Sequence, residues 1–212
     1  MISRLTALQR RLLSLLAGVE PRWSLTGGGA LAGFHLGHRD TRDLDLFFRG
    51  LSELGAIPED VTRRLVAEGL VVSVERQAPG YRRLIVEDGA ERTIVDLVAE
   101  PVPSIEPPLE LPPGVLVDTA HEVLVNKLNA LLGRVALRDL LDVSALLAAG
   151  GDFERAVRDA HIKDGGFSPP TLAWLLSEFP VEPLARSAKL DPTPLLAARD
   201  LLMKRLVEPV PR

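Results

Sequence analysis

Two short runs decide the fold: Leu25-Thr26-Gly27-Gly28-Gly29-Ala30-Leu31-Ala32 and, thirteen residues (Ala30 to Arg42) past Gly29, Asp43-Leu44-Asp45-Leu46-Phe47-Phe48. In the second run acids alternate with leucines before an apolar end, which predicts a mostly buried strand. Successive side chains on a strand point to opposite faces, so Asp43 and Asp45 emerge together while Leu44 and Leu46 enter the core. In the first run three glycines separate a short strand expected over Trp23 to Leu25 from a small-residue helix expected over Ala30 to Leu36. Glycines at such a turn let backbone N–H groups approach phosphate oxygens, and they also make an ordinary tight turn. The spacing matches neither a dinucleotide fingerprint nor a P-loop.

Paired carboxylates repel, and a hard divalent cation such as Mg²⁺ relieves the repulsion. The same pair also reads as a solvated strand edge. A third acid narrows the choice. Asp96 sits within Ile94-Val95-Asp96-Leu97-Val98, and an acid inside an apolar strand costs stability unless it is paired or ligates a metal. Three carboxylates on neighbouring strands would complete a two-metal site.

Outward from these runs, Leu5, Leu8, Leu12, Leu15 and Leu16, with Ile2, recur at helical spacing, which predicts an amphipathic helix ending near Gly18. A helix is expected over Val61 to Glu68. Strands follow at Leu70 to Glu75, Arg82 to Glu87 and Thr93 to Val98, with Asp88-Gly89 as the turn between the last two. Six of the 17 prolines fall between Pro101 and Pro113, a density that neither a helix nor a central strand tolerates. Ile105, Leu109 and Leu111 make this an extended strap against the protein. Beyond it, Thr119 to Glu122 reads as a capping box opening a helix to about Leu132. Further helices are expected over Arg138 to Ala148 and from Phe153, Thr171 and Pro194, the last capped by Thr193. The fold class is α+β: residues 1–100 an α/β domain with a small mixed sheet, 101–113 the strap, and 114–212 a helical bundle.

Composition removes several classes. With no cysteine among 212 residues there is no disulfide framework, thiolate metal centre or cysteine nucleophile. No apolar run approaches the roughly 20 residues of a spanning helix, and the amino terminus does not read as a signal peptide, so cytoplasm is the expected compartment. A net charge of −4, from 25 basic and 29 acidic residues, argues against broad nonspecific nucleic-acid binding. His35 and His38 stand three apart, but four histidines and no cysteine make a poor zinc set. Trp23 and Trp174 read as core residues. Of the basic residues only four are lysines, and one of them, Lys127, falls at the centre of its helix's apolar arc. There it snorkels, pairs with Asp139, or meets an anionic ligand. Asp139 orients Lys127 or is a buried structural acid, and Arg138 with Asp142 reads as an outer i,i+4 pair.

Taken together, Gly-Gly-x-Ala-Leu-Ala from Gly27, then His38-Arg39-x-x-x-Asp43-Leu44-Asp45-Leu46-Phe47, then a lone Asp96, resemble the DNA polymerase β-like nucleotidyltransferases. More narrowly they resemble the AbiEii/AbiGii-type enzymes, which include toxins of toxin–antitoxin and phage-abortive systems. Glu122 with Lys127, and Arg138-Asp139-Leu140-Leu141-Asp142, match that family's helical motifs. The resemblance implies a Mg²⁺- or Mn²⁺-dependent transfer of a nucleoside monophosphate from an NTP to an acceptor hydroxyl. Asp43, Asp45 and Asp96 would be metal ligands, with Asp96 also helping to deprotonate the acceptor. Gly27, Gly28, Gly29 and Lys127 would bind the nucleotide, with Arg39 and Asp139 in support. It implies an RNA acceptor such as a tRNA 3′ end and an antitoxin protein as partner. Gly29 departs from the pattern, standing where many members carry a phosphate-binding Ser or Thr, and this leaves open a degenerate fold that binds nucleotide or protein without transfer.

Overall fold

The computed structural model describes residues 3–208; Ile2 of the amphipathic pattern lies outside them. The chain forms two compact units, Met1–Val123 and Leu124–Arg212.

In the first unit, α1 (Ala7–Leu16) opens on a capping box. Gln9 N donates to Thr6 Oγ1, and Thr6 N donates to the Gln9 side chain, satisfying two otherwise orphaned donors. Its apolar stripe of Leu8, Leu12, Leu13 and Leu16 is buried. After it come β1 (Ser24–Thr26), α2 (Gly27–Ala30) and a π-helical turn, Leu31–His35. Then follow β2 (Asp43–Arg49), α3 (Ile57–Ala67), β3 (Val71–Ala78), β4 (Tyr81–Asp88) and β5 (Glu91–Glu100). The glycines therefore start the helix rather than precede it.

The sequence signals no strand after Val98, yet β6 (Leu109–Leu111) and β7 (Val115–Val117) follow. They complete a seven-stranded sheet in the order β3-β4-β5-β2-β1-β7-β6. β2 runs parallel to β5 and β1 parallel to β7, the other pairs being antiparallel. The strap thus lies inside this unit. Its only strand is the edge strand β6, where proline-rich flanks cost no ladder bond. Leu25, Leu44, Leu46, Phe48, Leu84 and Leu97 form the centre of the core. Trp23 is 4% exposed, and its Nε1 donates to Leu16 O at 2.9 Å.

A helix, α4 (Ala120–Gly133), begins in the first unit and ends in the second. Glu122 N donates to Thr119 Oγ1 at 3.1 Å, as the capping pattern predicts. The second unit continues with α5 (Leu137–Ala148), α6 (Phe153–Lys163), α7 (Pro169–Glu178), α8 (Val181–Ser187) and α9 (Pro192–Val207). α9 is capped by Asp191, which accepts from Thr193 N, so Thr193 is the donor and not the cap. α8 has no counterpart in the sequence reading, where Pro180 and Pro183 mask a seven-residue helix. Trp174 is 61% exposed. Its position in α7 turns away from the stripe of Leu172, Ala173 and Leu176 that is buried, so it is not a core residue.

Candidate active site

Strand pleating and register build the site. Along β2, Asp43, Asp45 and Phe47 are half-exposed while Leu44, Leu46 and Phe48 are buried, so the two acids share a face. The parallel pairing with β5 places Asp45 opposite Asp96. One carboxylate oxygen from each of Asp43, Asp45 and Asp96 lies within 4.8 Å of the others. Thr41 Oγ1 donates to Asp43 Oδ1 at 3.0 Å. Three converging hard oxygen donors are the chemistry that a hard divalent cation selects, and these residues fit such an ion.

Asp96 is 3% exposed and firmly held from β4. Arg83 is its cross-strand neighbour, donating from Nε to Oδ1 at 2.8 Å and from Nη2 to Oδ2 at 2.7 Å. Tyr81 OH donates to Oδ1 at 2.8 Å. Burial, reinforced by the bond to Asp96, pushes the Tyr81 hydroxyl up to about 12. The bond to Asp96 likewise holds Arg83 more firmly protonated than usual. Neither residue was singled out from sequence. Their signal is the alternation of Tyr81, Arg83 and Ile85 against buried Leu84 and Val86, which together with the expected Asp88-Gly89 turn identifies the face and the partner strand but not the register.

The glycine turn meets the same acids. Gly27 has φ +59°, and a Cβ there would lie 2.4 Å from Asp45 Oδ2, so only glycine fits against the carboxylate. A Cβ on Gly28 would face Thr41 Oγ1 at 2.9 Å and Arg39 Nη2 at 3.1 Å. Gly29 points elsewhere, toward Leu25 Cδ1 at 3.0 Å and Leu44 Cδ2 at 3.3 Å. A side chain at Gly29 would therefore enter the core. Arg39 Nη1 donates to Asp40 O at 3.0 Å. His35 Nε2 is 2.7 Å from Asp118 O.

A buried charge cluster in this unit escaped the sequence reading. Arg49 Nη2 donates to Asp118 Oδ2 at 2.7 Å and lies 3.4 Å from Glu122 Oε1. Its guanidinium carbon stands 5.1 Å from the centre of the Phe47 ring. Glu122 Oε2 also accepts from Ile105 N at 2.8 Å, tying the strap to α4.

In the second unit, Lys127 Nζ lies 2.7 Å from Asp139 Oδ1 and 2.8 Å from Asp142 Oδ2. Its side chain is 10% exposed and both carboxylates are fully buried. Arg134 Nε reaches 3.4 Å from Asp139 Oδ2. Asp142 is thus a buried residue facing Lys127 rather than an outer one. The buried stripe of α5 is Asp139, Leu140, Asp142, Val143 and Leu146, spaced i, i+1, i+3, i+4 and i+7. The Lys127 ammonium between the two carboxylates, with Arg134 beside Asp139, supplies the counter-charge that lets both acids join it.

In this α+β chain that ends in helices, a carboxylate triad on adjacent strands stands beside a glycine turn and forms a candidate metal site. The profile described as "Nucleotidyl transferase AbiEii toxin, Type IV TA system" matches residues 11–210, and the chain belongs to that nucleotidyltransferase toxin family. Among solved structures, MenT4, a nucleotidyltransferase toxin from Mycobacterium tuberculosis H37Rv, aligns with a TM-score of 0.63 at 18% identity, over 94% of this chain and 80% of that one. JHP933 from Helicobacter pylori aligns with a TM-score of 0.57 at 18% identity, over 94% and 88%. No curated protein matches the chain by sequence. Among the described residues no helix is long and apolar enough to cross a membrane.

Proposed function

We propose that this chain transfers a nucleoside monophosphate from an NTP to the hydroxyl of an RNA acceptor, a tRNA 3′ end in the first instance, as the toxin of a pair whose antitoxin restrains it. The observation that carries the reading is the convergence of Asp43, Asp45 and Asp96, with an oxygen of each within 4.8 Å of the others. The acceptor hydroxyl gives up its proton, to Asp96 or through it to water, as its oxygen bonds to the α-phosphorus; the bond to the bridging oxygen breaks, and pyrophosphate leaves with that electron pair. Held by the three carboxylates, Mg²⁺ or Mn²⁺ supplies Lewis-acid stabilisation of the charge that develops on the phosphoryl oxygens.

The protein's own part is placement. Gly27 lets the backbone pass against Asp45, and the N–H groups of Gly27 to Gly29 stand at the start of α2 for phosphate oxygens. Arg39, beside Gly28, supports the phosphates or the acceptor. Asp96, with Arg83 and Tyr81 already on its oxygens, serves as a ligand before it serves as a proton acceptor. The family pattern assigns Lys127 to the phosphates. An ammonium has three N–H donors, and Asp139 and Asp142 fix its position with two.

The direction of Gly29, toward Leu25 and Leu44, supports transfer over a nucleotide-binding module without activity, because a hydroxyl there would not face a ligand. The test is incubation with labelled NTPs, Mg²⁺ and separated pools of tRNA, other RNA, proteins and small hydroxylated compounds, read by mass spectrometry. Nucleoside monophosphate on tRNA that disappears in Asp45→Asn is the expected result. Labelling of another pool would replace the acceptor, and NTP binding with no labelled pool would establish the binding module instead.

A further inference from the structure

We propose that Arg83 is a built-in counter-ion of the carboxylate site, making Asp96 a one-oxygen ligand and holding down the site's affinity for a free divalent cation. The inference rests on the reading of Asp43, Asp45 and Asp96 as metal ligands, and adds a positioning residue to it.

The first argument counts lone pairs. A carboxylate offers about four acceptor positions on its two oxygens. Arg83 Nε and Tyr81 OH both donate to Oδ1 of Asp96, and Arg83 Nη2 donates to Oδ2. Oδ1 is filled and Oδ2 keeps one position, so Asp96 gives a cation one oxygen and cannot chelate it. The clamp is built into the sheet, because Arg83 and Asp96 are register partners across β4 and β5. Arg83 is steadied on its outer side by Glu75 Oε2, 3.7 Å from Nη1.

The second argument is charge. The guanidinium cancels one of the three carboxylate charges that a cation would neutralise, and it stands beside the place where the cation would sit. A free ion meets a less negative site and a fixed positive neighbour. A cation accompanied by the phosphates of an NTP brings the negative charge that balances Arg83. The site is thereby biased toward loading with its nucleotide rather than with the ion alone.

The experiment is a Mn²⁺ titration of the full-length, nucleotide-free protein, with free Mn²⁺ read by electron paramagnetic resonance, so that no catalytic step enters. Arg83→Gln removes the charge and is expected to tighten Mn²⁺ binding by about tenfold or more, as a unit charge some 5 Å from a dication implies even in a water-like medium. Arg83→Lys keeps the charge without the fork and is expected to stay within about threefold of the parent. Tyr81→Phe frees one acceptor position on Oδ1 at constant charge and is expected to tighten binding, by less than Arg83→Gln does. A merely structural Arg83 would lose affinity in both Arg83 variants, and unchanged or weaker binding by Arg83→Gln overturns the proposal. Should Arg83→Gln not fold, a tenfold change in either direction in Arg83→Lys overturns it as well. Asp45→Asn separates the two readings: if it leaves Mn²⁺ binding untouched, the metal-site reading fails and the counter-ion role with it.

Discussion

Asp45 stands directly opposite Asp96 in the parallel pairing of β2 with β5, and the two negative charges repel wherever no cation lies between them. Relieving that repulsion stabilises the fold while removing the chemistry. Asp45→Asn is expected to raise the thermal midpoint of the metal-free protein by a few degrees, corresponding to roughly 0.5–1 kcal/mol. Added Mg²⁺ should then raise the midpoint of the parent and leave that of the variant unchanged, as calorimetry with and without the ion will show.

The three glycines differ in what they tolerate. Gly27→Ala combines a positive φ with a Cβ 2.4 Å from Asp45 Oδ2. It should cost roughly 2 kcal/mol and displace a carboxylate, so transfer falls along with stability. Gly29→Ser, which supplies the hydroxyl that the family resemblance leads one to expect, pushes that hydroxyl between Leu25 and Leu44. It should cost about 1–3 kcal/mol in urea denaturation, and calorimetric titration with NTP should show no gain in affinity.

Lys127 bridges two fully buried acids, and Arg134 adds a second positive charge 3.4 Å from Asp139 Oδ2. Lys127→Met leaves Asp139 and Asp142 buried without their ammonium and is expected to lose about 3–5 kcal/mol in equilibrium unfolding. The triple variant Lys127→Met, Asp139→Asn, Asp142→Asn should recover much of that loss. If the single and triple variants are equally unstable, the cluster is held by packing rather than by charge.

A pH dependence arises on the second unit. The Arg205 guanidinium, 2.7 Å from Glu154 on the first turn of α6, holds that carboxyl below its ordinary value of 4.5. A carboxylate lowered in the folded state adds stability above its unfolded value and loses it as pH falls through its folded value. Glu154 is substantially exposed, so the contribution after screening is below about 1 kcal/mol. Glu154→Gln should be slightly less stable than the parent at pH 7, with the difference closing as the pH drops below 4.5. Unfolding curves at a series of pH values test this.

The two tryptophans report opposite environments, Trp23 at 4% exposure and Trp174 at 61%. Iodide should quench the fluorescence of Trp174 and spare that of Trp23. Trp174→Ser should change stability by less than about 0.5 kcal/mol.

Much of the site can be read from local pattern. Acid–leucine alternation sets the shared face of Asp43 and Asp45, and an acid in an apolar strand marks Asp96. What local pattern cannot supply is register. Arg83 and Tyr81 become partners of Asp96 only through the register of β4 on β5, in which Asp88 pairs with Glu91, and a turn expected at Asp88-Gly89 names the partner strand but not that register. Asp142 was misplaced because an acid beside a surface arginine reads as solvated until a buried ammonium is found to face it. β6 and β7 are three residues each, too short for alternation to register, and proline hides them. Trp174 shows the reverse error: a large apolar side chain reads as core although nothing requires it to be covered.

The parallel pairing of β1 with β7 joins residues about ninety apart in the chain. At a synthesis rate of roughly 5–20 residues per second, Ser24 to Thr26 waits several seconds for this neighbour while β2 to β5 can already assemble. The glycine turn leaves directly from the end of that strand. The parallel partner of β1 is therefore made only after all three acids, Asp43, Asp45 and Asp96, so the carboxylate-bearing strands precede in synthesis the strand that extends their sheet beyond β1.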